Sequence, residues 1–439
     1  MRVINKVTVI GANGTMGANV AGIFASFGNA KVYMVCRNLE KADMAVKRVV
    51  RSVRADSIRS NLIPVDYSKL QECVLDSDLV FESVAENLEA KIAVNQKLAE
   101  ALRTCVEAPV ICSGTSGLSV NALAECFPEA LRRNYFGVHM FNPPYNMPLC
   151  ELITTKYSDQ EILGEIRNYL ENVLFRTVVK VKDAPAFLAN RIGFQFINEA
   201  LQCAERYQDK GGIDYVDAIL GTFSGRAMPP LATADFVGLD IHKAIVDNLW
   251  LNTKDYAHAT YSLPEFVQKL ISEGRLGRKA GAGLFKTEIT LDGKRRQYVY
   301  DIATDEYREK RKYTFAFADK MAQHIQNAEY EKVFQVLVTS REEEARICLH
   351  FLLSYIVYSL VMAKEIGDSI HSADDVMATG FNWCPPLALV DVLSEVTDVR
   401  VLIEEQLDPG IVHTVDLGVL FANIERSKYD FRPYFKSGI

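Results

Sequence analysis

The chain has 439 residues, 49% apolar and 24% charged, with a formal net charge of −7 at pH 7. That length exceeds one ordinary hydrophobic core, so two or three domains are expected. The mild acidity excludes a nucleic-acid binder, which would carry a strongly basic domain. Nine scattered cysteines with no CxxC pair point to reduced thiols in a cytoplasmic protein without a metal site.

Val7-Thr-Val-Ile10 reads as a strand at once, with no signal peptide expected ahead of it. It runs into Gly11-Ala-Asn-Gly14-Thr-Met16-Gly17 and a helical pattern from Ala18 to Phe27. Strand, glycine turn and helix in that order are the context a dinucleotide fingerprint requires. Gly11 permits the tight turn, Gly14 lets the backbone approach a pyrophosphate, and Gly17 lets the helix pack close to the strand. With Met16 between them, they place the phosphate on the helix N-terminus. The spacing GxxGxxG is one residue longer than the usual GxGxxG. A second strand, Lys31–Cys36, ends in Cys36-Arg37-Asn38, where an acidic residue would bind a ribose 2′-OH. Arg37 there either pairs with a 2′-phosphate, a lean towards NADP over NAD, or simply faces solvent. Arg48, Arg51, Arg54 and Arg59, with Lys47, follow on the next helical segment. This basic face is either solvated or meets the phosphates of a large anionic substrate.

Asp78–Glu82 is a third strand leading into Ala85-Glu86-Asn-Leu-Glu-Ala-Lys91, which opens a helix. Pro109–Cys112 is a fourth, followed by Ser113-Gly-Thr-Ser116. Small hydroxyl residues after a parallel strand sit at the carboxyl edge of the sheet, where ligands bind. Tyr135–Met140 delivers His139 to the same edge. The proline-rich run after it, Asn142-Pro-Pro-Tyr-Asn-Met-Pro148, is a rigid turn able to fold Glu151 back towards His139. A lone histidine in such a place is either a satisfied core residue or a base held by a carboxylate. Convergence of three loops and the glycine turn on one crevice favours the base.

These motifs resemble the 3-hydroxyacyl-CoA dehydrogenase family over residues 4 to about 290. The resemblance rests on Ala85-Glu86-Asn87-Leu88 with Lys91, Ser113-Gly-Thr-Ser116, His139-Met-Phe-Asn142-Pro143 and Leu149-Cys-Glu151-Leu-Ile. It continues in Asp183-Ala-Pro185-Ala-Phe-Leu-Ala-Asn190-Arg191 and Gly277-Arg-Lys279-Ala-Gly281-Ala-Gly283-Leu-Phe285. It implies a Rossmann-type NAD(P)-binding α/β domain (1–183) followed by an all-α domain of the family's C-terminal type (184–290). By resemblance the chain oxidises (S)-3-hydroxyacyl-CoA to the 3-ketoacyl-CoA, a step of fatty acid β-oxidation. His139 would take the hydroxyl proton, Glu151 would orient it, and Ser116 and Asn190 would bond the reacting oxygen. Glu86, Lys91, Asn142 and Lys279 would line the nicotinamide cofactor, NAD or NADP. The segment between the second strand and Glu86 is shorter than the family's, which carries a helical hairpin contributing to CoA binding. Arg48, Arg51 and Arg54 are candidates to compensate.

Beyond an exposed linker or hairpin at 291–315, whose turn is marked by Asp292-Gly293, a repeat is legible in residues 316–439. Pro385-Pro-Leu-Ala-Leu-Val-Asp391 echoes Pro229-Pro-Leu-Ala-Thr-Ala-Asp235, and Ala373-Asp-Asp-Val376 echoes Ile213-Asp-Tyr-Val216. This second, degenerate helical copy has about Leu349 where the first has Asn190, so it is expected to hold no site. In the family, single-copy chains dimerise through this domain, so a monomer with an internal pseudo-dimer, or a homodimer, is implied. The apolar run Phe351–Ala363 is too short for a bilayer and is read as a buried helix. Two alternatives are weighed. A short-chain reductase would need a Tyr-x-x-x-Lys pair, and no tyrosine here has lysine four residues on. A non-catalytic nucleotide-sensing member of the family would account for the altered ribose contact.

Overall fold

The computed structural model describes residues 3–437, apart from 104, 106, 290–292 and 423. The chain divides into two compact units, residues 1–188 with 366–368, and 189–365 with 369–439.

The first unit alternates strands and helices: β1 (Lys6–Ile10), α1 (Thr15–Ser26), β2 (Lys31–Cys36), α2 (Leu39–Val53), β3 (Leu62–Asp66), α3 (Leu70–Leu75), β4 (Leu79–Glu82), α4 (Leu88–Ala101) and β5 (Val110–Ser113). It continues with α5 (Val120–Ala124), α6 (Glu129–Arg132), β6 (Tyr135–Met140), β7 (Leu149–Thr154), α7 (Gln160–Asn172) and β8 (Thr177–Lys182). The strands form one sheet in the order β3-β2-β1-β4-β5-β6-β7-β8. All pairings are parallel except β6 with β7. Buried on both faces, the central strands β1, β4, β5 and β6 are near-continuous apolar runs, as a covered parallel sheet demands. The order reverses between β1 and β4, and that switch point is where such sheets hold ligands. Local chemistry starts the helices around it. Asn38 caps α2 through the Lys41 N–H and Asn87 caps α4 through the Ala90 N–H, at 2.9 Å each.

The second unit is helical: α8 (Ala189–Arg206), α9 (Ile213–Ile219), α10 (Pro230–Val237), α11 (Leu239–Asn252) and α12 (Glu265–Ser272). Then come β9 (Phe285–Ile289), β10 (Arg295–Asp301) and β11 (Glu306–Glu309). The second copy holds α13 (Ala316–Gln326), α14 (Tyr330–Thr339), α15 (Glu343–Ile366), α16 (Ser372–Val376), α17 (Pro386–Ser394) and α18 (Val399–Gln406). The two copies are not separate bodies, because each covers the other's apolar face. Phe196 of α8 meets Phe351, Tyr355 and Trp383, with ring centroids 5.1, 6.1 and 5.2 Å away. Buried Arg226 stacks 3.8 Å from the Phe196 ring and 4.8 Å from that of Trp383.

Three sequence expectations change. The strand at 78–82, expected to be the third, is the fourth, because β3 (Leu62–Asp66) pairs with β2 at the sheet edge, where most of its residues are only half-buried. Residues 291–315, expected to be an exposed linker or hairpin, hold the hairpin: β10 and β11 pair and join β9 in an antiparallel sheet ordered β11-β10-β9. The sheet is pinned to the helices by Arg308, whose guanidinium forks onto Asp214 at 2.7 and 2.8 Å. The expected boundary at 290–291 and the Asp292 of the turn lie outside the described residues. The run Phe351–Ala363 is part of a longer helix, α15, of 24 residues, which by length and composition alone would cross a membrane but is mostly buried in this unit.

Candidate active site

The glycine turn joins β1 to α1. Gly11 has φ +78°, and a Cβ on it would lie 2.5 Å from the Ser83 carbonyl oxygen. A Cβ on Gly17 would lie 2.4 Å from the Gly11 oxygen, so α1 rests directly on the turn. Gly14 is extended and caps α1 with no side-chain bond, and the first turn of α1 has no acidic residue. Its nearest neighbour to an added Cβ is 3.4 Å away. The Gly14 N–H closes the turn on the Gly11 carbonyl at 3.0 Å, and the first-turn N–H groups of Thr15 to Gly17 face an anion at the positive end of the helix, a cradle that fits a pyrophosphate. Met16 is half-buried against the core. The Gly11 and Ala12 N–H groups reach the Val35 carbonyl at 3.1 and 3.4 Å, which brings the turn to within two residues of exposed Arg37.

The four arginines of the basic face part company. Arg48 donates to the Asn13 carbonyl of the glycine turn at 3.0 Å. Arg51 and Arg54 line a groove of about 400 Å³ with Lys47, Asp56 and Arg59.

Beside the turn, the loops after β4 and β5 are tied by carboxylates. Buried Glu82 accepts from Lys91 Nζ at 3.0 and 3.2 Å, from Ser113 Oγ at 2.7 Å and from the Val84 N–H at 2.7 Å. Lys91 also stands 3.4 Å from Glu86. Glu86 Oε1 in turn accepts the Ser116 N–H at 2.7 Å and Thr115 Oγ1 at 2.6 Å. Glu86 and Lys91, expected to line a cofactor, therefore also hold Ser116 in place.

His139 and Glu151 face each other across the antiparallel pair β6–β7. His139 Nδ1 lies 2.7 Å from Glu151 Oε2, and both residues are buried. The second carboxylate oxygen accepts the Leu188 N–H at 2.9 Å. The His139 ring packs against Phe141 and Phe187, with centroids 4.6 and 5.7 Å away. Phe187 and Ala186 are consecutive non-glycine residues with φ +55° and +58°. That conformation costs about 1–2 kcal/mol per residue, and it turns the Leu188 N–H and the Phe187 ring onto the His–Glu pair. Strained backbone of this kind concentrates at functional sites. Asn142 Oδ1 accepts Asn19 Nδ2 of α1 at 3.2 Å, and Tyr145 OH reaches the Asn19 carbonyl at 3.2 Å. The proline turn is thereby fastened to the helix that starts at the glycines.

In the second unit, Asn190 is the second residue of α8 and is buried. Lys279 is exposed and pairs with Asp240. Its glycine-rich loop wraps Asp235, whose Oδ1 accepts the Leu284 and Phe285 N–H groups at 2.6 and 3.2 Å. Glu82, Thr115, Asn19 and Asp235 escaped sequence reasoning. Only Glu82, a carboxylate ending an apolar strand at the switch point, carried a signal that would have found it.

A sheet of this order with a glycine cradle at its switch point defines a dinucleotide-binding protein. Residues 6–184 match the 3-hydroxyacyl-CoA dehydrogenase NAD-binding domain, and residues 187–287 match the 3-hydroxyacyl-CoA dehydrogenase C-terminal domain. A protein of Deinococcus radiodurans named "Probable 3-hydroxyacyl-CoA dehydrogenase" is 32% identical over 300 residues, covering 64% of this chain and 83% of its own. A Bacillus subtilis protein of the same name is 28% identical over 411 residues, 87% of this chain and 50% of its own. The chain thus spans about half the length of that relative. The crystal structure of 3-hydroxybutyryl-CoA dehydrogenase from Escherichia coli K12 shares the fold, with a TM-score of 0.65 at 20% identity over 94% of this chain and 97% of that one. The chain belongs to the 3-hydroxyacyl-CoA dehydrogenase family.

Proposed function

We propose that this protein interconverts (S)-3-hydroxyacyl-CoA and 3-ketoacyl-CoA with a nicotinamide cofactor. The observation that carries this is the buried His139–Glu151 pair, at 2.7 Å, on the carboxyl side of a sheet whose switch point holds an open glycine cradle. With Nδ1–H donated to Glu151, His139 presents the Nε2 lone pair to a substrate hydroxyl. Nε2 takes the hydroxyl proton as the C3–H bond breaks and the C–O bond becomes a carbonyl. Glu151 stabilises the imidazolium, and in the reverse direction Nε2 returns the proton to the oxygen. Ser116 and Asn190 are assigned as donors to that oxygen, where charge develops. The bound nicotinamide supplies the hydride acceptor.

Gly11, Gly14, Met16 and Gly17 hold the cofactor's pyrophosphate, and Glu86, Lys91, Asn142 and Lys279 line its nicotinamide half. Arg37, exposed beside the turn, leans the preference towards NADP. Arg51 and Arg54 are assigned to the phosphates of CoA, whereas Arg48 is engaged by the glycine turn. The second helical copy takes the place of a partner subunit, so the working form is one chain.

Turnover is tested by following NADH and NADPH absorbance with a short-chain 3-ketoacyl-CoA. His139→Ala is expected to lower kcat by about 10²–10⁴-fold, the worth of a positioned base. A variant that keeps full rate rejects the mechanism, and a wild-type protein inactive with every acyl-CoA rejects the function.

A further inference from the structure

The first turn of α8 carries Asn190, and the first turn of a helix is its least secured part, because its N–H groups have no partners within the helix. Arg191, the next residue, is 7% exposed and carries a full charge. Its Nη2 donates to Asp255 Oδ2 at 2.7 Å, from the segment between α11 and α12. Its Nε donates at 3.2 Å to the hydroxyl of Tyr358, which belongs to α15 in the second copy. The Tyr358 hydroxyl donates to the same Asp255 oxygen at 2.8 Å and accepts from the Tyr261 hydroxyl. Tyr358 and Tyr261 are each 1% exposed. The guanidinium, the carboxylate and two phenols thus close a buried ring of bonds at the start of α8, with one member from the second copy.

The same copy follows α8 along its length. A Cβ on Gly193 would lie 2.2 Å from the Phe381 ring, and Phe196 is enclosed by Phe351, Tyr355 and Trp383. Contacts at 191, 193 and 196 fasten successive turns. Glycine at 193 is what permits the Phe381 ring to reach the helix backbone.

We propose that Tyr358 is a positioning residue: the second helical copy, to which the sequence assigns no site residue, fixes Asn190 by holding Arg191 and Asp255. This rests on the function proposed for Asn190. It gives the duplicated domain a task in the reaction beyond covering apolar surface. The misplacement of a reacting group by about 1 Å costs on the order of 10²-fold in rate, so the ring's integrity shows in kcat.

Tyr358→Phe removes one hydroxyl and keeps the ring's volume. It is expected to lower kcat about tenfold with cofactor KM unchanged, and to have less than about a twofold effect in an Asn190→Ala background, because groups acting as one unit are not additive. Hydrogen exchange of the peptide spanning residues 187–196, free of any activity, is expected to quicken by about fivefold. Asp255→Asn serves as a second variant with the same expected pattern. Unchanged exchange in both variants overturns the inference whatever the activity. So does a Tyr358→Phe effect on kcat that is absent, or is equally large without Asn190. If the wild type turns over no acyl thioester, the function fails, and the exchange experiment alone decides the role of Tyr358.

Discussion

Glu82 and Lys91 form an ion pair with side chains 0% and 1% exposed. Such a pair is stable only while both members and their hydrogen bonds persist, since a lone buried charge has lost its water. Lys91→Met is therefore expected to cost about 3–5 kcal/mol, read from denaturant unfolding. It also releases Glu86, and with it the Ser116 N–H, so activity should fall at temperatures where the variant is still folded. Arg37 offers the opposite case, an exposed side chain whose replacement leaves the fold alone. Arg37→Asp should shift the ratio of kcat/KM from NADPH towards NADH by about tenfold or more, the scale of one lost charge pairing and one gained ribose bond. An unchanged ratio would mean that Arg37 faces solvent only. Glu151 is the most informative single residue, because it bonds both His139 and the Leu188 N–H. Glu151→Gln keeps the shape and removes the charge that steadies the imidazolium.

Two short helices show how one device is repeated. Asp217 accepts the Leu231 and Ala232 N–H groups at the start of α10, at 2.8 and 2.9 Å. In the second copy Asp374 accepts the Leu387 N–H at the start of α17, at 2.8 Å. The repeat therefore equates Asp374 with Asp217, three residues from the sequence alignment of Asp374 with Asp214. Asp214 instead binds Arg308. A five-residue π-turn over Met377–Phe381 changes the spacing in the second copy, and no periodicity in the sequence announces it. Burial pushes the Asp217 carboxyl up to about 7 against the pull of its two N–H bonds, and burial pushes Asp374 up to about 6. Because the folded value lies above the unfolded one, between about pH 4 and 7 the native state holds a proton that the unfolded chain has lost. Asp217 thus makes stability fall as pH rises through that window, by up to about 1.4 kcal/mol per unit for one proton. Asp217→Asn should flatten the slope of unfolding free energy between pH 5 and 7 relative to wild type. An identical slope would show that the carboxyl is ionised throughout.

At the scale of the molecule, two helical copies share one unit through α8 and α15. A light-scattering mass equal to one chain, 49.2 kDa, is the expected outcome. A dimer formed by exchange of residues 316–439 between chains would overturn the internal pairing. The buried aromatic and arginine contacts at Phe196, Arg226 and Trp383 account for the apolar character of α15, which composition alone would equally allow in a membrane.

The strand–turn–helix start of the first unit, the glycine turn and the duplication were legible in the sequence, because each is written in local spacing, whereas the edge strand β3 (Leu62–Asp66), mostly half-buried, was not. Val7–Ile10, Gly11, Gly14 and Gly17 lie within one short run, and a turn with too little room for a Cβ declares itself as glycine. The candidate base and its carboxylate were legible as residue types on either side of a proline turn. Their pairing was expected from that turn and from the family resemblance, but not the register that delivers it, since a slip of one residue in β6–β7 would have put Glu151 on the other face of the sheet. Only the tertiary structure decided that register, the Glu82–Lys91–Glu86 chain that seats Ser116, and the choice of strands over a plain linker at 295–309. It alone placed Tyr358 beside Arg191, which is 167 positions away. Hydrophobic period and backbone conformation are properties of neighbours along the chain, whereas these contacts join groups brought together by burial, and burial is settled by the whole fold.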